Sequence, residues 1–116
     1  MNEFTDGIWI IDALGRTVYA NRSMAGILGT ESSTMIGESS FSYVFPEDMA
    51  AAQRLFASKK EGDPAPFRFK LRRKGGDAIA VVVQGTPMHD ANGEFQGVVG
   101  MFTVSDDDGS LNRTMQ

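Results

Sequence analysis

The 116 residues include no cysteine, a single histidine and four prolines. Without cysteine there can be no disulfide, thiolate metal site, iron–sulfur cluster or cysteine nucleophile. No apolar run approaches the roughly 20 residues that cross a bilayer, and no signal-peptide pattern leads the chain, so a cytoplasmic domain is expected. Positive charge is also scarce. Eleven Lys and Arg stand against fifteen Asp and Glu, a net charge of −4. That balance argues against a nucleic-acid or membrane-contacting surface. The lone His89 falls in a polar turn, and one imidazole without cysteine makes no strong metal site. No nucleophile–base pair, phosphate-cradling glycine loop or paired carboxylates stand in a catalytic context. No enzyme, metal or catalytic residue is expected.

What remains is an ordinary globular composition, 41% apolar and 22% charged, in a chain long enough for one domain with a modest core. Residues 7–21, GIWIIDALGRTVYAN, hold two short apolar runs on either side of Asp-Ala-Leu-Gly. The runs are β-rich and the middle is turn chemistry, so a β-hairpin is predicted. Ile8, Trp9, Ile10 and Ile11 are all apolar, although a strand sends alternate side chains to opposite faces. Both faces of this strand therefore want cover.

Asn21 can cap a short helix that Gly29 closes, and a second short turn ends at Gly37. Around Pro46-Glu47-Asp48 a longer helix begins, with Lys59 and Lys60 at its negative dipole end and a stripe of Met49, Ala52, Leu55 and Phe56. The period then changes. PFRFKLRR alternates, with Phe67, Phe69 and Leu71 on one side and Arg68, Lys70 and Arg72 on the other. The basic side reads as the solvated face of a strand, its aliphatic stems laid over neighbours. KGGD and HDANGE are turns framing a strand that ends near Pro87, and FQGVVGMFTVS is the last strand. Residues 106–116 are polar and read as a tail or linker. The order is two strands, roughly 40 residues of short helices, then three strands. An α+β fold follows, a five-stranded antiparallel sheet with helices on one face.

That order resembles a PAS domain. The resemblance is carried by DGIWIID and GRTVYAN, LG at 28–29, MIG at 35–37, FPED at 45–48, RFKLRRKGG at 68–76, TPMHDANGEFQG at 86–97 and GMFT at 100–103. It spans about residues 6–105 and is nearest in flavour to sensor modules of bacterial histidine kinases and diguanylate cyclases. It implies strand order 2-1-5-4-3 and a PAS domain over residues 1–105.

The resemblance also implies a pocket between the sheet and the helical segment. Phase and turn matching place Trp9, Ile11, Phe67, Phe69, Leu71, Val81, Val83, Gly85, Val98, Gly100 and Phe102 on its sheet side. Met24, Leu28, Met35, Val44, Phe45, Met49 and Phe56 would close it from the helices. Flavin is not expected, because Ser40 stands where light-sensing relatives carry a reactive cysteine. Leu71, Val81 and Phe102 stand where those relatives hold the flavin ring by hydrogen bonds. Haem is not expected either, since residues 46–61 contain no histidine. Two readings of the pocket stay open: a filled core, or a cavity holding a small apolar ligand among flexible Met side chains.

With Trp9 and Ile11 inward, Ile8 and Ile10 face out, joined by Ala80, Val82, Val99, Met101 and Thr103. This is an apolar patch larger than scattered surface residues explain. Only six residues precede the first strand, so a homodimer burying this outer face is expected. The functional expectation is a noncatalytic, dimerising sensor module that passes its signal to an output domain of a parent chain. A scaffold without ligand, or a regulator recruiting partners through the outer face, are the alternatives. In many relatives the last strand ends in Asp-Ile-Thr. Here Val104-Ser105-Asp106 stands instead, and Asp106 is a candidate substitute for the exit contact.

Overall fold

A computed structural model describes residues 6–105. Strands β1 (Gly7–Asp12), β2 (Thr17–Ala20), β3 (Phe67–Arg72), β4 (Ala78–His89) and β5 (Phe95–Val104) form one antiparallel sheet, in the order β2-β1-β5-β4-β3. Helices α1 (Arg22–Leu28), α2 (Ser32–Met35) and α3 (Met49–Lys60) lie between β2 and β3, with 3-10 turns at Ser40–Tyr43 and Pro46–Asp48. This is the α+β architecture that the sequence pattern predicts and the strand order that the resemblance implies. Asp106 and the expected linker of residues 106–116 lie outside the described residues.

The first hairpin closes through Asp12. Its carboxylate accepts the N–H groups of Leu14 and Arg16, both at 2.9 Å, and its carbonyl accepts that of Gly15. Trp9 then pairs with Ala20 and Ile10 with Tyr19, but Ile11 pairs with Thr17, skipping Val18. This one-residue bulge leaves Val18 exposed and keeps Thr17 facing the core. There the Thr17 hydroxyl accepts the Trp9 indole N–H at 2.9 Å, so the deepest polar group of β1 is satisfied.

Asn21 does more than cap. Its side-chain oxygen accepts from Met24 N at 2.9 Å and from Ile8 N at 3.0 Å, while its amide donates to the Asp6 carbonyl. One side chain thereby ties the start of α1 to the start of β1. Gly97 permits an equally close contact on the other side of β1. It has φ +146, and a Cβ there would lie 1.9 Å from the Ile11 carbonyl oxygen. Pro87 does not end β4, which runs to His89 before a register shift hands over to the turn. In that turn the Asp90 carboxylate accepts from Asn92 N and Glu94 N.

The helices cover one face of the sheet in two parts. α1 and α2 pack on β1 and β2, where Met24, Leu28 and Met35 are wholly buried. α3 lies over β4 and β5. Between the two parts stands Trp9, edge-on to Tyr43 with ring centroids 5.7 Å apart and against Phe102 at 5.5 Å.

Candidate functional site

Under α3 the sheet and helices do not fill the space between them. A cavity of about 120 Å³ remains. Its floor comes from Trp9 and Ile11 of β1, Val98, Gly100 and Phe102 of β5, Val83 and Gly85 of β4, and Phe67, Phe69 and Leu71 of β3. Its roof is Ser40 and Phe41 from the first 3-10 turn, Val44 just after it, and Ala52, Leu55, Phe56 and Lys59 from α3. The period-2 alternation of β1, β3, β4 and β5 is what aims these side chains inward. Phe41 meets Phe56 edge-on at 6.0 Å, and Phe56 meets Phe95 at 5.9 Å, so a row of rings braces the roof.

Of the predicted pocket residues, Trp9, Ile11, Val44, Phe56, Phe67, Phe69, Leu71, Val83, Gly85, Val98, Gly100 and Phe102 meet at this cavity. Six others do not line it. Met24, Leu28 and Met35 belong to the packed end under α1 and α2, beyond the Trp9 partition, so the expected methionine lining is core instead. Val81 is also wholly buried in the core, paired with Phe69 and Val104. Met49 packs partly buried against the core, one turn before Ala52. Phe45 sits beneath Lys70, whose Nζ lies 4.9 Å from its ring centroid. Lys70 also faces Asp48 at 3.5 Å and Glu47 at 3.8 Å, and Arg72 donates to the Ser42 carbonyl. β3 is an edge strand, so these long outward side chains reach the helical segment and are more than a solvated fringe.

Sequence reasoning missed Lys59. Its place in the last turn of α3 suggested a solvated charge at the helix dipole, yet it is only 4% exposed. Its stem packs over Gly85, and its ammonium donates to the carbonyls of Asp63 (2.8 Å) and Ala65 (2.6 Å), 5.2 Å from the Phe67 ring centroid. Gln84, on the other side of the sheet, donates to the Pro64 carbonyl between them at 2.8 Å. Three successive carbonyls of the α3–β3 loop are thus clasped. The Asp63 carboxylate shapes this loop by accepting from Ala65 N and Ser58 Oγ, contacts that hold its pKa below the usual carboxylate value. A glycine at position 85, making room for a stem, was the available signal.

On the opposite face the register sets Ile8 beside Met101, Ile10 beside Val99, Val82 beside Thr103 and Ala80 beside Lys70. Ile8, Ile10, Ala80, Val82 and Val99 are half-buried, and Met101 and Thr103 are exposed. Gln84 and Thr86 pair with Met101 and Val99, so polar side chains break the patch that the apolar count suggested. Tyr19, beside Ile10, extends it toward β2. At the exit of β5, Ser105 N donates to the Ala80 carbonyl at 2.9 Å, and Arg68 donates to Ser105 Oγ. His89 is exposed at the end of β4, against Phe95 and away from the cavity. Among the described residues no three His, Cys, Asp or Glu side chains come together as a metal site, and no helix is long and apolar enough to cross a membrane.

Residues 1–104 match the family model described as the PAS fold. Among solved structures, the chain is similar to the PAS domain of a protein from Colwellia psychrerythraea, with TM-score 0.79, 18% identity and 86% of each chain covered. It is also similar to Drosophila melanogaster Cycle PAS-B with bound ethylene glycol, with TM-score 0.73 and 16% identity over 85% of this chain and 99% of that one. A sensory box histidine kinase/response regulator from Burkholderia thailandensis E264 aligns with TM-score 0.68 and 20% identity, over 88% of this chain and 78% of that one. No curated protein matches the sequence significantly.

Proposed function

This chain belongs to the PAS family, whose domains are sensory modules, and from that premise we propose that it is a noncatalytic, signal-sensing and dimerising part of a larger bacterial signalling protein. A sensor histidine kinase or a similar parent fits best, with the cavity taking a small, mainly apolar molecule. The observation that carries this reading is the cavity of about 120 Å³ walled by aromatic and branched side chains. An engineered apolar cavity of about 150 Å³ stays dry and takes up benzene, so the space here suits a body of one ring or less. Flavin and haem have no place in the reading. The lining contains no cysteine or histidine, and Leu71 and Phe102 give a flavin edge no hydrogen bonds.

Signal transfer follows from sheet geometry. Trp9, Val83 and Gly100 face the cavity, while their chain neighbours Ile10, Val82 and Val99 face the other side. A ligand preferring one sheet curvature shifts the population toward it, and the outer face, docked on a second copy of this chain, carries the change. The exit then leads through Ser105 toward an output domain. Neither nucleic acid nor membrane contact forms part of this role, in keeping with the net charge of −4.

Two measurements test it. Mass spectrometry of gently purified and then denatured protein should release a small molecule in stoichiometric amount. Sedimentation should give a dimer that Ile10→Asp converts to a monomer of unchanged fold. A monomeric wild type refutes the dimer. The modest size of the cavity favours one alternative, a dimerisation scaffold that binds no ligand. If signalling in the parent survives a cavity-filling Gly100 substitution, that alternative wins.

A further inference from the structure

Residues 63–66, Asp-Pro-Ala-Pro, lie between α3 and β3 and are all exposed. Proline has no N–H and holds the residue before it in extended backbone. Pro64 and Pro66 therefore stiffen the segment and leave it two backbone donors. Both are spent beside α3, Asp63 N–H on the Ser58 carbonyl and Ala65 N–H on the Asp63 carboxylate. What the segment offers the sheet is carbonyls. Lys59 takes those of Asp63 and Ala65 from the inner side, and its stem crosses Gly85 at the cavity wall. After the Ala65 and Ser58 bonds, the Lys59 charge also helps to hold the Asp63 pKa down, so this ammonium is bonded and balanced within the loop. Gln84 takes the Pro64 carbonyl at 2.8 Å from the outer face, where it stands exposed beside Met101.

We propose that residues 63–66 form a strap that couples the cavity to the outer face of the sheet. The proposal rests on the cavity being a ligand site and adds the contacts by which occupancy reaches the other side. Gln84 and Gly85 are chain neighbours on opposite faces of β4, and the strap is grasped at both. An occupant of the cavity competes with the Lys59 stem for the space over Gly85. Because the strap is stiff, a displaced stem carries its three carbonyls together. A hydrogen bond of this kind is lost beyond about 3.5 Å, so a strap shift of under about 1 Å frees the Gln84 amide among the outer side chains. Clasped and released straps are the two states, and an occupant that fits the released one better shifts the population toward it. Such coupling is reciprocal, so loosening the strap from outside strengthens binding inside.

Toluene titrated into the whole isotope-labelled chain tests the coupling by NMR. In the wild type the Gln84 side-chain amide should move as toluene saturates, while that of Gln96, bonded to Asp90, stays in place. Gln84→Ala, at an exposed position outside the cavity lining, should bind toluene about two- to tenfold more tightly, the worth of one net hydrogen bond. Lys59→Met keeps an apolar stem without a donor, and should bind toluene with the Gln84 amide silent. Toluene binding that leaves the wild-type Gln84 amide unmoved, or an affinity unchanged by Gln84→Ala, overturns the strap and leaves the cavity standing. So does a Gln84 response that survives Lys59→Met. Should Lys59→Met fail to fold, the wild type and Gln84→Ala still decide. No toluene binding by any of the three overturns strap and cavity together.

Discussion

The stem of Lys59 crosses Gly85 so closely that a Cβ at residue 85 would lie 3.2 Å from Lys59 Cγ and 3.3 Å from Cδ. Gly85→Ala presses on this flexible stem and touches Val98 Cγ1 at an ordinary 3.4 Å, so its cost should stay within about 1 kcal/mol. Gly85→Leu fills the cavity and displaces the stem, an overpacking expected to cost about 1–3 kcal/mol and to abolish uptake of toluene. Urea denaturation with toluene titration checks both. Undiminished toluene binding by Gly85→Leu would show that the cavity is not where Gly85 points.

Gly97 is a harsher case. Its φ of +146 already disfavours a side chain, and an added Cβ would lie 1.9 Å from the Ile11 carbonyl oxygen, where backbone must move. Gly97→Ala is expected to separate β1 from β5 and cost more than about 4 kcal/mol, among the largest effects of single substitutions. Circular dichroism of the purified variant would show loss of cooperative unfolding; a wild-type melting curve would contradict the β1–β5 register.

The Trp9 indole and Thr17 hydroxyl form a buried pair on neighbouring strands. Trp9→Phe removes the donor and leaves a buried hydroxyl without its partner, at about 1–3 kcal/mol in addition to lost ring volume. Adding Thr17→Val to it should recover part of that loss, giving a coupling energy of about 0.5–3 kcal/mol in a double-mutant cycle. Strict additivity would mean the bond contributes nothing.

Burial, then the hydrogen bond to and charge of Glu38, raise the Tyr43 pKa from 10.0 to about 12. Because the folded value exceeds the unfolded one, the folded state favours the neutral phenol. Its contribution to stability is complete below pH 10 and is lost as the pH climbs toward about 12. With Tyr19→Phe, Tyr43 is the sole tyrosine, and an ultraviolet titration should place its midpoint near 12, lowered by Glu38→Gln. A midpoint near 10 would put Tyr43 in water.

Much of this architecture can be read along the chain. The alternation in PFRFKLRR sends Phe67, Phe69 and Leu71 inward, and the Asp12 and Asp90 turns mark two hairpins, because strand phase and turn chemistry are local properties. The same alternation assigns Ile8 and Ile10 to one side and Trp9 to the other. Depth within the helical layer is different. Met24, Leu28 and Met35 have the same apolar character as cavity-lining residues, and only the placement of α1 and α2 over β1 and β2 sends them to a packed end. Lys59 makes the point most sharply. One-dimensional reasoning gives a lysine in a last helical turn to solvent, whereas a glycine twenty-six positions on and two loop carbonyls take it out of water. The chain alone determined the five strands, their hairpin turns and the two-sided apolar character of β1, since each rests on short-range pattern, and the strand order came with the family resemblance that those motifs carry. Which apolar residues enclose space and which fill it, and where one charge is buried, depended on contacts between segments far apart in sequence. Those contacts were decided by three-dimensional packing.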